Sequence, residues 1–200
     1  NILSKNNNII FENKKYNSNL LWDIDTLSEN NNISLDIIEK YICLDWNWYN
    51  MTKNINITLC FIEKYINKDW DWYWLSKSNI INWNFIKKYF EKDWNWKYLS
   101  ANKNINWKII ISNINYNWNW EYISMNPNIS KQILIDHFDY KWNILKLVKN
   151  NYIKWDIELL NKFKNKLDNI IYWDILSEHN YITWNIIKNT PFYLWNYNII

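Results

Sequence analysis

The chain has 200 residues, and its 17 Trp, 15 Tyr and 7 Phe supply enough apolar surface for a core, which excludes a disordered protein. All 23 basic residues are Lys, and a net charge of +3 does not by itself indicate a polyanionic partner. The complete absence of Gly excludes phosphate-binding and dinucleotide-binding loops, and no apolar run approaches the roughly 18–20 residues that cross a bilayer.

A tryptophan recurs every 24 residues, and this repeat is the strongest pattern in the sequence. We call it the phase Trp. It occupies Trp22, Trp46, Trp70, Trp94, Trp118 and Trp142, and after a slip of five residues its equivalents are Ile171 and Trp195. We place the five extra residues within 156–170, where an elongated second helix would absorb them. The pattern predicts a single repeat array over residues 1–200.

The first helix of each repeat, helix A, begins just after the phase Trp. Asp or Asn follows as the N-cap, and an apolar residue four positions later closes over the turn against the phase Trp as a hydrophobic staple. The predicted caps are Asp23, Asn47, Asp71, Asn95, Asn119 and Asn143. Asn-rich links, such as 30–32 and 54–56, are expected to end helix A.

The second helix, helix B, has the same start signature. Ile precedes a Ser, Thr or Asn cap, and Ile or Leu follows four residues after the cap. The predicted caps are Ser34, Thr58, Asn82, Asn106, Ser130 and Thr183. Apolar residues three and four apart, such as Ile38 with Tyr41 and Ile42, indicate one buried helical stripe.

Two helix starts in every 24 residues predict an all-α fold, an α-solenoid of about seven to eight helix-turn-helix repeats. The alternative at this period is a leucine-rich repeat, and the segment from Trp118 to Tyr122 is compatible with a strand, but that fold requires alternating Leu columns. One repeat buries too little surface to offset the entropy of ordering it, so neighbouring repeats must stack. We therefore expect the phase Trp, and the Trp two residues after it, to lie in a continuous core.

The unit at 69–90 reads Asp-Trp-Asp-Trp-Tyr-Trp-Leu-Ser at its start and continues with Asn-Ile-Ile-Asn-Trp. It resembles the Trp-rich tandem repeats of giant nucleocytoplasmic DNA viruses, whose units read Pro-Trp-Asp-Trp, then Leu-Ser, then Asn-Pro-Asn-Ile-Thr-Trp. Most of the Pro residues of that family are replaced here, and Pro127 is retained. The resemblance implies a viral protein in the host cytoplasm or viral factory, with the virion as a further location. It carries over no catalytic residue.

No catalytic constellation is visible. His137 and His179 stand alone, without the Cys/His spacing of a zinc site, so each is predicted to be a core or surface histidine. Cys43 and Cys60 form no CxxC pair and are expected to be buried, reduced thiols of an intracellular protein. The sequence therefore predicts a protein that is not an enzyme, with no cofactor, no metal and no small-molecule substrate.

Aromatic residues in variable columns are the candidates for a binding surface. One column of helix A and the first turn of helix B hold aromatic residues in some repeats but Lys, Asn or Thr in others, so we expect partial exposure. The helix-B column contains Trp83, Trp107, Trp155 and Trp184. With the lysines around them, the candidate surface comprises Trp74, Trp83, Lys87, Lys88, Lys97, Tyr98, Trp107, Lys108 and Tyr122.

Two functions of different classes fit these features. The first is a non-catalytic scaffold for protein–protein interaction or assembly, which includes self-association through an uncapped end such as 197–200. The alternative is sequence-nonspecific binding of single-stranded nucleic acid, with bases stacked on the aromatic rings beside Lys. The absence of Arg weakens the alternative because Arg makes the best bidentate contacts to bases and phosphates. A membrane partner is not expected.

Overall fold

The computed structural model describes residues 23–199, and fourteen short α-helices lie in this range. No residue in the described range belongs to a β-strand, so the leucine-rich-repeat alternative is wrong there. The predicted all-α class is confirmed. Trp22, the first phase Trp, and Ile200, at the end predicted to be uncapped, lie outside the described residues.

The chain divides into two compact units between Trp94 and Asn95. The first unit contains α1 (Ile24–Ser28), α2 (Leu35–Lys40), α3 (Trp48–Met51), α4 (Leu59–Lys64), α5 (Trp72–Lys77) and α6 (Trp83–Lys88). The second contains α7 (Trp96–Ala101), α8 (Trp107–Ser112), α9 (Trp120–Ile123), α10 (Lys131–Asp136), α11 (Ile144–Val148), α12 (Ile157–Phe163), α13 (Ile170–Ser177) and α14 (Trp184–Asn189). Odd-numbered helices are helices A and even-numbered ones are helices B.

The N-cap predictions are confirmed at every position named for them. In each case the side chain of the cap accepts a hydrogen bond from a backbone N–H of the first turn, as Thr58 does from Phe61 and Asn119 does from Tyr122. A helix of four to six residues leaves most of its N–H groups without an internal partner, so the cap supplies a large share of the local bonding. Short helices of this kind depend on their caps and on packing against neighbours.

Like helices of adjacent repeats pack together inside each unit. Helix α1 packs on α3, α7 on α9, and α11 on α13, whereas the helix-B pair α10 and α12 makes the corresponding contact on the other side. Apolar residues at the fourth position after each cap face this packing, and Met51, Ile62, Leu99 and Leu134 among them are completely buried. Within each unit, the core therefore extends from one helix pair to the next.

The phase Trp is buried wherever a Trp occupies the position in the described range, at Trp46, Trp70, Trp94, Trp118, Trp142 and Trp195. Its indole N–H donates to the main-chain carbonyl of the residue five positions earlier, as from Trp70 to Tyr65 at 3.0 Å. That carbonyl lies just beyond the last turn of the preceding helix B, where intrahelical donors run out. The phase Trp thus fills the core and also closes helix B.

The Trp two residues after the phase Trp is only half-buried at Trp48, Trp72, Trp96 and Trp120, so the prediction that this column lies in the core is wrong in part. Each of these rings contacts the phase Trp of the next repeat edge to face, with centroids 4.9 Å apart between Trp72 and Trp94. This arrangement is the one that aromatic quadrupoles favour. The column forms a cover over the core.

The helix caps divide the five extra residues: two precede Asp156, outside 156–170, and three lie between Asp156 and Ile171, around the start of α13. From the helix-B cap to the next helix-A cap there are 13 residues in a regular repeat, from Ser34 to Asn47, and the same 13 from Asp156 to Asn169. Helix α12 ends at Phe163, and it is only one residue longer than the six-residue helices B. The predicted elongated helix over this segment is therefore wrong.

The spacing from a helix-A cap to the next helix-B cap shows both parts of the insertion. That distance is 11 residues in regular repeats, but 13 from Asn143 to Asp156 and 14 from Asn169 to Thr183. Three of the extra residues lengthen α13 to eight residues. In consequence Ile171, the predicted phase equivalent, is 53 % exposed, and the indole of buried Trp173 donates to the Leu167 carbonyl in its place.

Three predictions of burial are wrong. Cys43 and Cys60 were expected to be buried, and both are exposed free thiols. Trp155 was expected on the surface with its column, yet it is completely buried. Because two extra residues delay the cap of α12 to Asp156, Trp155 precedes the cap and packs edge to face on Phe163 instead of projecting from the first turn.

Candidate binding surface

The helix-A column of the candidate surface stands at the third residue of α5, α7 and α9. The backbone N–H of each residue bonds to the cap side chain, as from Trp74 to Asp71 at 2.9 Å, so the cap fixes where the ring leaves the helix. Trp74 is 41 % exposed. Tyr98 and Tyr122 are half-buried and contact each other edge to face, with ring centroids 5.7 Å apart.

The helix-B column differs in exposure from repeat to repeat. Trp83 and Trp107 are half-buried, and the Trp107 ring lies against a cluster of the following repeat that includes His137 at 5.0 Å and Trp142 at 5.6 Å. Trp184 is 62 % exposed. A ring already packed on the next repeat has less free surface to offer a ligand, so Trp107 is the weaker candidate and Trp184 the stronger one.

The four candidate lysines are exposed, but they are not equivalent. Lys88 forms an ion pair with Glu63 of the preceding repeat, and its Nζ lies 5.4 Å from the Tyr89 ring centroid. The hydrogen bond from Lys88, with a second from Tyr89, lowers the pKa of the Glu63 carboxyl, and the same pairing raises the pKa of Lys88. Within the part of the chain that the structure describes, Lys87, Lys97 and Lys108 form no ion pair.

A column of buried polar side chains, which we call the asparagine ladder, joins the loops that follow helices A. Its members are Asn30, Asn54, Asn102, Asn126 and Asn150, with Ser78 and His179 at the equivalent positions. All except the half-buried Ser78 are buried. Buried polar side chains are retained only where their donors and acceptors are satisfied.

Each of the ladder side chains Asn54, Asn126 and Asn150 has two functions. Its oxygen accepts a bond from the backbone N–H two residues ahead and closes its own loop, as Asn126 Oδ1 does from Asn128 at 2.9 Å. Its amide N–H groups donate to carbonyls of the previous repeat, and Asn126 Nδ2 reaches those of Ser100, Asn102 and Ile105 at 2.8–3.2 Å. The ladder is therefore an inter-repeat bond as well as a turn.

A second Asn, two residues after the ladder position, adds further bonds in some repeats. Asn56 Nδ2 donates to the carbonyls of Asn31 and Ile33 at 2.8 and 3.1 Å. Asn128 Nδ2 makes the corresponding bonds to Lys103 and Ile105 in the second unit. A regular junction between repeats thus receives two carboxamide side chains.

The junction between residues 52–57 and 77–80 receives neither carboxamide. Ser78 replaces the ladder Asn, and Ile80 replaces the second Asn. An open cleft of 380 Å³ lies at this junction, which we call the ladder cleft. It is lined by Thr52, Lys53, Asn54, Ile55, Ile57, Trp74, Lys77, Ser78, Asn79 and Ile80.

Exposed apolar side chains surround the ladder cleft. Trp74 forms one wall, and Ile55 at the opposite side is 75 % exposed. Tyr49 and Tyr73, at the second residue of successive helices A, are also exposed. The Asp71 carboxylate raises the pKa of the Tyr49 phenol through a side-chain hydrogen bond, and Lys77 Nζ lies 4.1 Å from the Tyr73 ring centroid.

The sequence carries a signal for the ladder that was not among the predicted features. Asn or Ser stands eight residues after each phase Trp from Asn30 to Asn150. Asn at these positions also fits the end of helix A, where Asn is common. Only the structure shows that their amides reach the preceding repeat.

Among residues 23–199 no group of three or more His, Cys, Asp and Glu side chains is placed to hold a metal ion. No helix in this range has the length and apolar content that crossing a membrane requires. Comparison with protein-family models, with curated proteins and with solved structures gives no match. The resemblance to the Trp-rich repeats of giant DNA viruses therefore stays a prediction.

Proposed function

We propose that this protein is a non-catalytic repeat scaffold that binds a protein partner or assembles with itself. In this proposal one array of about seven to eight helix pairs of 24 residues extends along the chain as an α-solenoid. The described repeats supply a frame of helices and buried hydrogen bonds, and the variable columns supply the binding surface.

The bonds between repeats support the solenoid. Ser28 Oγ donates to Ile24 in its own helix and accepts from the backbone N–H of Asn47, 19 residues on, at 3.0 Å. Ser124 and Asn143 repeat this arrangement at the same distance and separation in the second unit. Because each repeat bonds to its neighbour through the same columns, the unit that is stable is the stack rather than the single repeat.

The observation that carries the proposal is the cluster of exposed aromatic and aliphatic side chains in the first unit. Tyr49, Tyr73 and Trp74 project from successive helices A, and Ile55 stands on the adjacent loop. Contiguous exposed apolar side chains mark interaction sites on soluble proteins, and Tyr and Trp are enriched in the cores of protein interfaces. We call these four residues the aromatic patch.

The nucleic-acid alternative has weaker support. It needs free lysines beside exposed rings, but Lys88 is paired with Glu63 and the Trp107 ring packs on the next repeat. Three exposed candidate lysines, Lys87, Lys97 and Lys108, remain for phosphate contacts. Affinity that rests on phosphate contacts falls steeply with added salt, which makes the alternative testable.

The setting belongs to the proposal as well. The resemblance of the unit at 69–90 to viral Trp-rich repeats supports a viral scaffold that acts in the cytoplasm or viral factory of an infected cell. A partner would then be a viral or host protein, or a second copy of the chain.

The first test compares two double variants of the purified protein in sedimentation velocity and in affinity capture from infected cells. Tyr73→Ser/Trp74→Ser removes half of the aromatic patch. Tyr152→Ser/Phe192→Ser removes two exposed rings from the second unit and is the matched control. We expect a complex or a self-associated species that the first variant loses and the second retains. A monomer with no captured protein, or equal capture by both variants, would contradict the proposal.

The second test measures binding to labelled single-stranded and double-stranded DNA and RNA at about 50 and 200 mM salt. We expect no binding at the lower salt concentration. Tight binding that is salt-sensitive and is lost on replacing Lys87, Lys97 and Lys108 by Glu would establish the alternative in place of the scaffold. Lys88→Glu is a separate variant because it also breaks the ion pair with Glu63.

A further inference from the structure

We propose that the ladder cleft is a binding site for a primary carboxamide, supplied by an Asn or Gln side chain of a bound polypeptide. The cleft is the place where a regular junction receives two Asn side chains and this junction receives none. The chemistry of the site follows from the backbone, and the polypeptide source of the ligand rests on the proposed scaffold function.

The hydrogen-bond acceptors in the ladder cleft are backbone carbonyl groups. At the regular junction in the second unit, the ladder amide bonds to the carbonyls of Ser100, Asn102 and Ile105. The residues at the same repeat positions in the first unit are Thr52, Asn54 and Ile57, and all three line the cleft. The cleft therefore presents the carbonyl set that elsewhere binds a carboxamide.

The hydrogen bonds that those carbonyls already accept determine which donors the cleft can still bind. The Asn54 carbonyl accepts one bond, from Ile57 N–H at 3.2 Å, just as the Asn102 carbonyl does from Ile105. The carbonyls of Thr52, Ile55 and Ile57 accept no hydrogen bond from any residue in 23–199. Carbonyl groups in a partly enclosed site favour a ligand that brings N–H donors, since leaving such groups without donors is costly.

The charge around the cleft favours a ligand whose N–H donors are uncharged. Lys53 and Lys77 line the cleft. Lys53 is paired with Glu29 at 3.4 Å, and the positive charge of Lys77 disfavours a second cation. A carboxylate would be attracted by the lysines but repelled by the carbonyl oxygens. A primary carboxamide offers two N–H donors to the carbonyls and one oxygen that can accept from Lys77.

The volume and the apolar walls of the cleft favour a carboxamide that belongs to a peptide. A volume of 380 Å³ is at the lower end of the range for ligand sites and exceeds what one side-chain amide fills, so a flanking segment of chain also fits. Trp74, Ile55 and Ile80 provide apolar walls for its neighbours. These features suit an Asn or Gln between apolar residues in a peptide better than a free small amide.

The experiment is an NMR titration of the ¹⁵N-labelled full chain, followed through the Trp74 indole N–H and the backbone amides of 52–57. The probes are propionamide, sodium propionate, and the peptides acetyl-Ile-Asn-Ile-amide and acetyl-Ile-Leu-Ile-amide. We expect saturable shifts at these residues with propionamide, none with propionate, and about tenfold tighter binding of the Asn peptide because it adds apolar contacts. The Leu peptide should not compete with propionamide.

Ser78→Asn tests the site from inside the protein, because the new side chain completes the ladder and occupies the cleft. We expect it to weaken propionamide binding by about tenfold or more and to raise the midpoint of thermal unfolding. Ile80→Asn is the second variant should Ser78→Asn fail to fold, and Ser112→Asn, on an exposed position of α8, is the matched control.

Three results would overturn the inference: no saturable shift with propionamide or the Asn peptide, equal binding of propionate, or binding unchanged by both cleft variants. The scaffold proposal is judged separately by the aromatic-patch variants, so each proposal can fail without the other. Binding of propionamide without tighter binding of the Asn peptide would place the ligand among small amides and overturn the polypeptide source alone.

Discussion

The side-chain amide of Asn54 donates to the main-chain carbonyl of Asn30, 24 residues earlier, at 2.8 Å. The same amide reaches the Ile33 carbonyl at 3.1 Å, while its oxygen accepts from the Asn56 N–H. One buried side chain thus closes its own loop and bonds to the previous repeat. These atoms are buried away from water. Breaking one of the bonds therefore leaves its partner atom buried without a hydrogen bond, which destabilises the fold.

The ladder should therefore be sensitive to deletion of a single amide. Asn126→Ala removes a donor from three buried carbonyls, of which those of Asn102 and Ile105 keep one other donor each, and leaves the Asn128 N–H without its acceptor. We expect a loss of about 2–3 kcal/mol in the free energy of unfolding. Urea denaturation followed by Trp fluorescence measures this, and hydrogen exchange at the Asn128 amide reports the local opening.

Asn128→Ala is the control for the ladder prediction. Asn128 is half-buried, and its amide shares the Ile105 carbonyl with Asn126, so its removal should cost about 1 kcal/mol or less. Equal losses of unfolding free energy in the two variants would show that the buried bonds of Asn126 stabilise the fold no more than the half-buried bonds of Asn128.

The serine column makes a second prediction. Ser124 is completely buried, donates to Trp120 in its own helix, and accepts from the backbone N–H of Asn143 at 3.0 Å. Ser124→Ala strands that N–H and should lower the free energy of unfolding by about 1–2 kcal/mol. Ser124→Thr should be close to wild type because Thr52 makes both bonds in its own repeat. A destabilised Thr variant with a neutral Ala variant would refute the assigned hydrogen bonds.

The local features of this fold were predictable from the sequence. An N-cap bonds to a backbone N–H three residues away, as Thr58 does to Phe61, so the residue type and its apolar neighbours determine the helix start. The burial of the phase Trp was also predictable, because a large apolar residue that recurs at a fixed interval indicates a core of stacked repeats.

Features that depend on the junction between repeats were not predictable. Counting from Trp142 to Ile171 gives the length of the insertion but not its place, and the caps Asp156 and Asn169 show that it is divided between two segments. The exposure of Trp155 and Trp184, members of one sequence column, is opposite for the same reason. The ladder cleft depends on how the segments 52–57 and 77–80 meet across a junction, which no local pattern records.

Trp155 allows a test of what an indole N–H contributes in this core. Its Nε1 atom is buried without a hydrogen-bond partner in the described part of the chain, whereas Trp70 Nε1 donates to the Tyr65 carbonyl at 3.0 Å. Both rings are buried, so replacing either with Phe removes a similar volume. Trp155→Phe also relieves an unpaired donor, whereas Trp70→Phe removes the indole hydrogen bond to the Tyr65 carbonyl, which keeps only its bond from the Lys68 N–H.

We therefore expect Trp70→Phe to destabilise the protein by about 1–2 kcal/mol more than Trp155→Phe. Urea denaturation of the two variants side by side gives this difference directly. If Trp155→Phe costs as much as Trp70→Phe, the Trp155 indole has an acceptor in solution, and the buried N–H is satisfied.

His179 occupies the last described position of the ladder and makes the stability of that repeat depend on pH. Its Nε2 lies 3.4 Å from the Asn150 carbonyl, and its Nδ1 lies 3.5 Å from the Tyr181 N–H. These contacts assign the neutral form with the proton on Nε2, since Nδ1 must accept. Burial lowers the pKa of His179 from its ordinary value of 6.5, against an opposing effect of the bond to the Asn150 carbonyl.

The direction of the pH effect follows from this lowered pKa. As the pH falls below about 6.5, the unfolded chain binds a proton at His179 before the folded protein does, so the free energy of unfolding decreases. The stabilisation is complete above that pH and is lost progressively as the pH falls through the lower pKa of the folded state. His179→Gln keeps a donor for the Asn150 carbonyl and an acceptor for the Tyr181 N–H but does not titrate.

Urea denaturation of wild type and His179→Gln at a series of pH values from about 7.5 to 5 isolates this contribution, because every other residue is common to both. We expect the wild-type protein to lose stability relative to the variant as the pH falls below about 6.5. Parallel curves would mean that His179 has the same proton affinity in both states, and an increasing advantage of wild type at low pH would mean that the histidine is charged in the folded ladder.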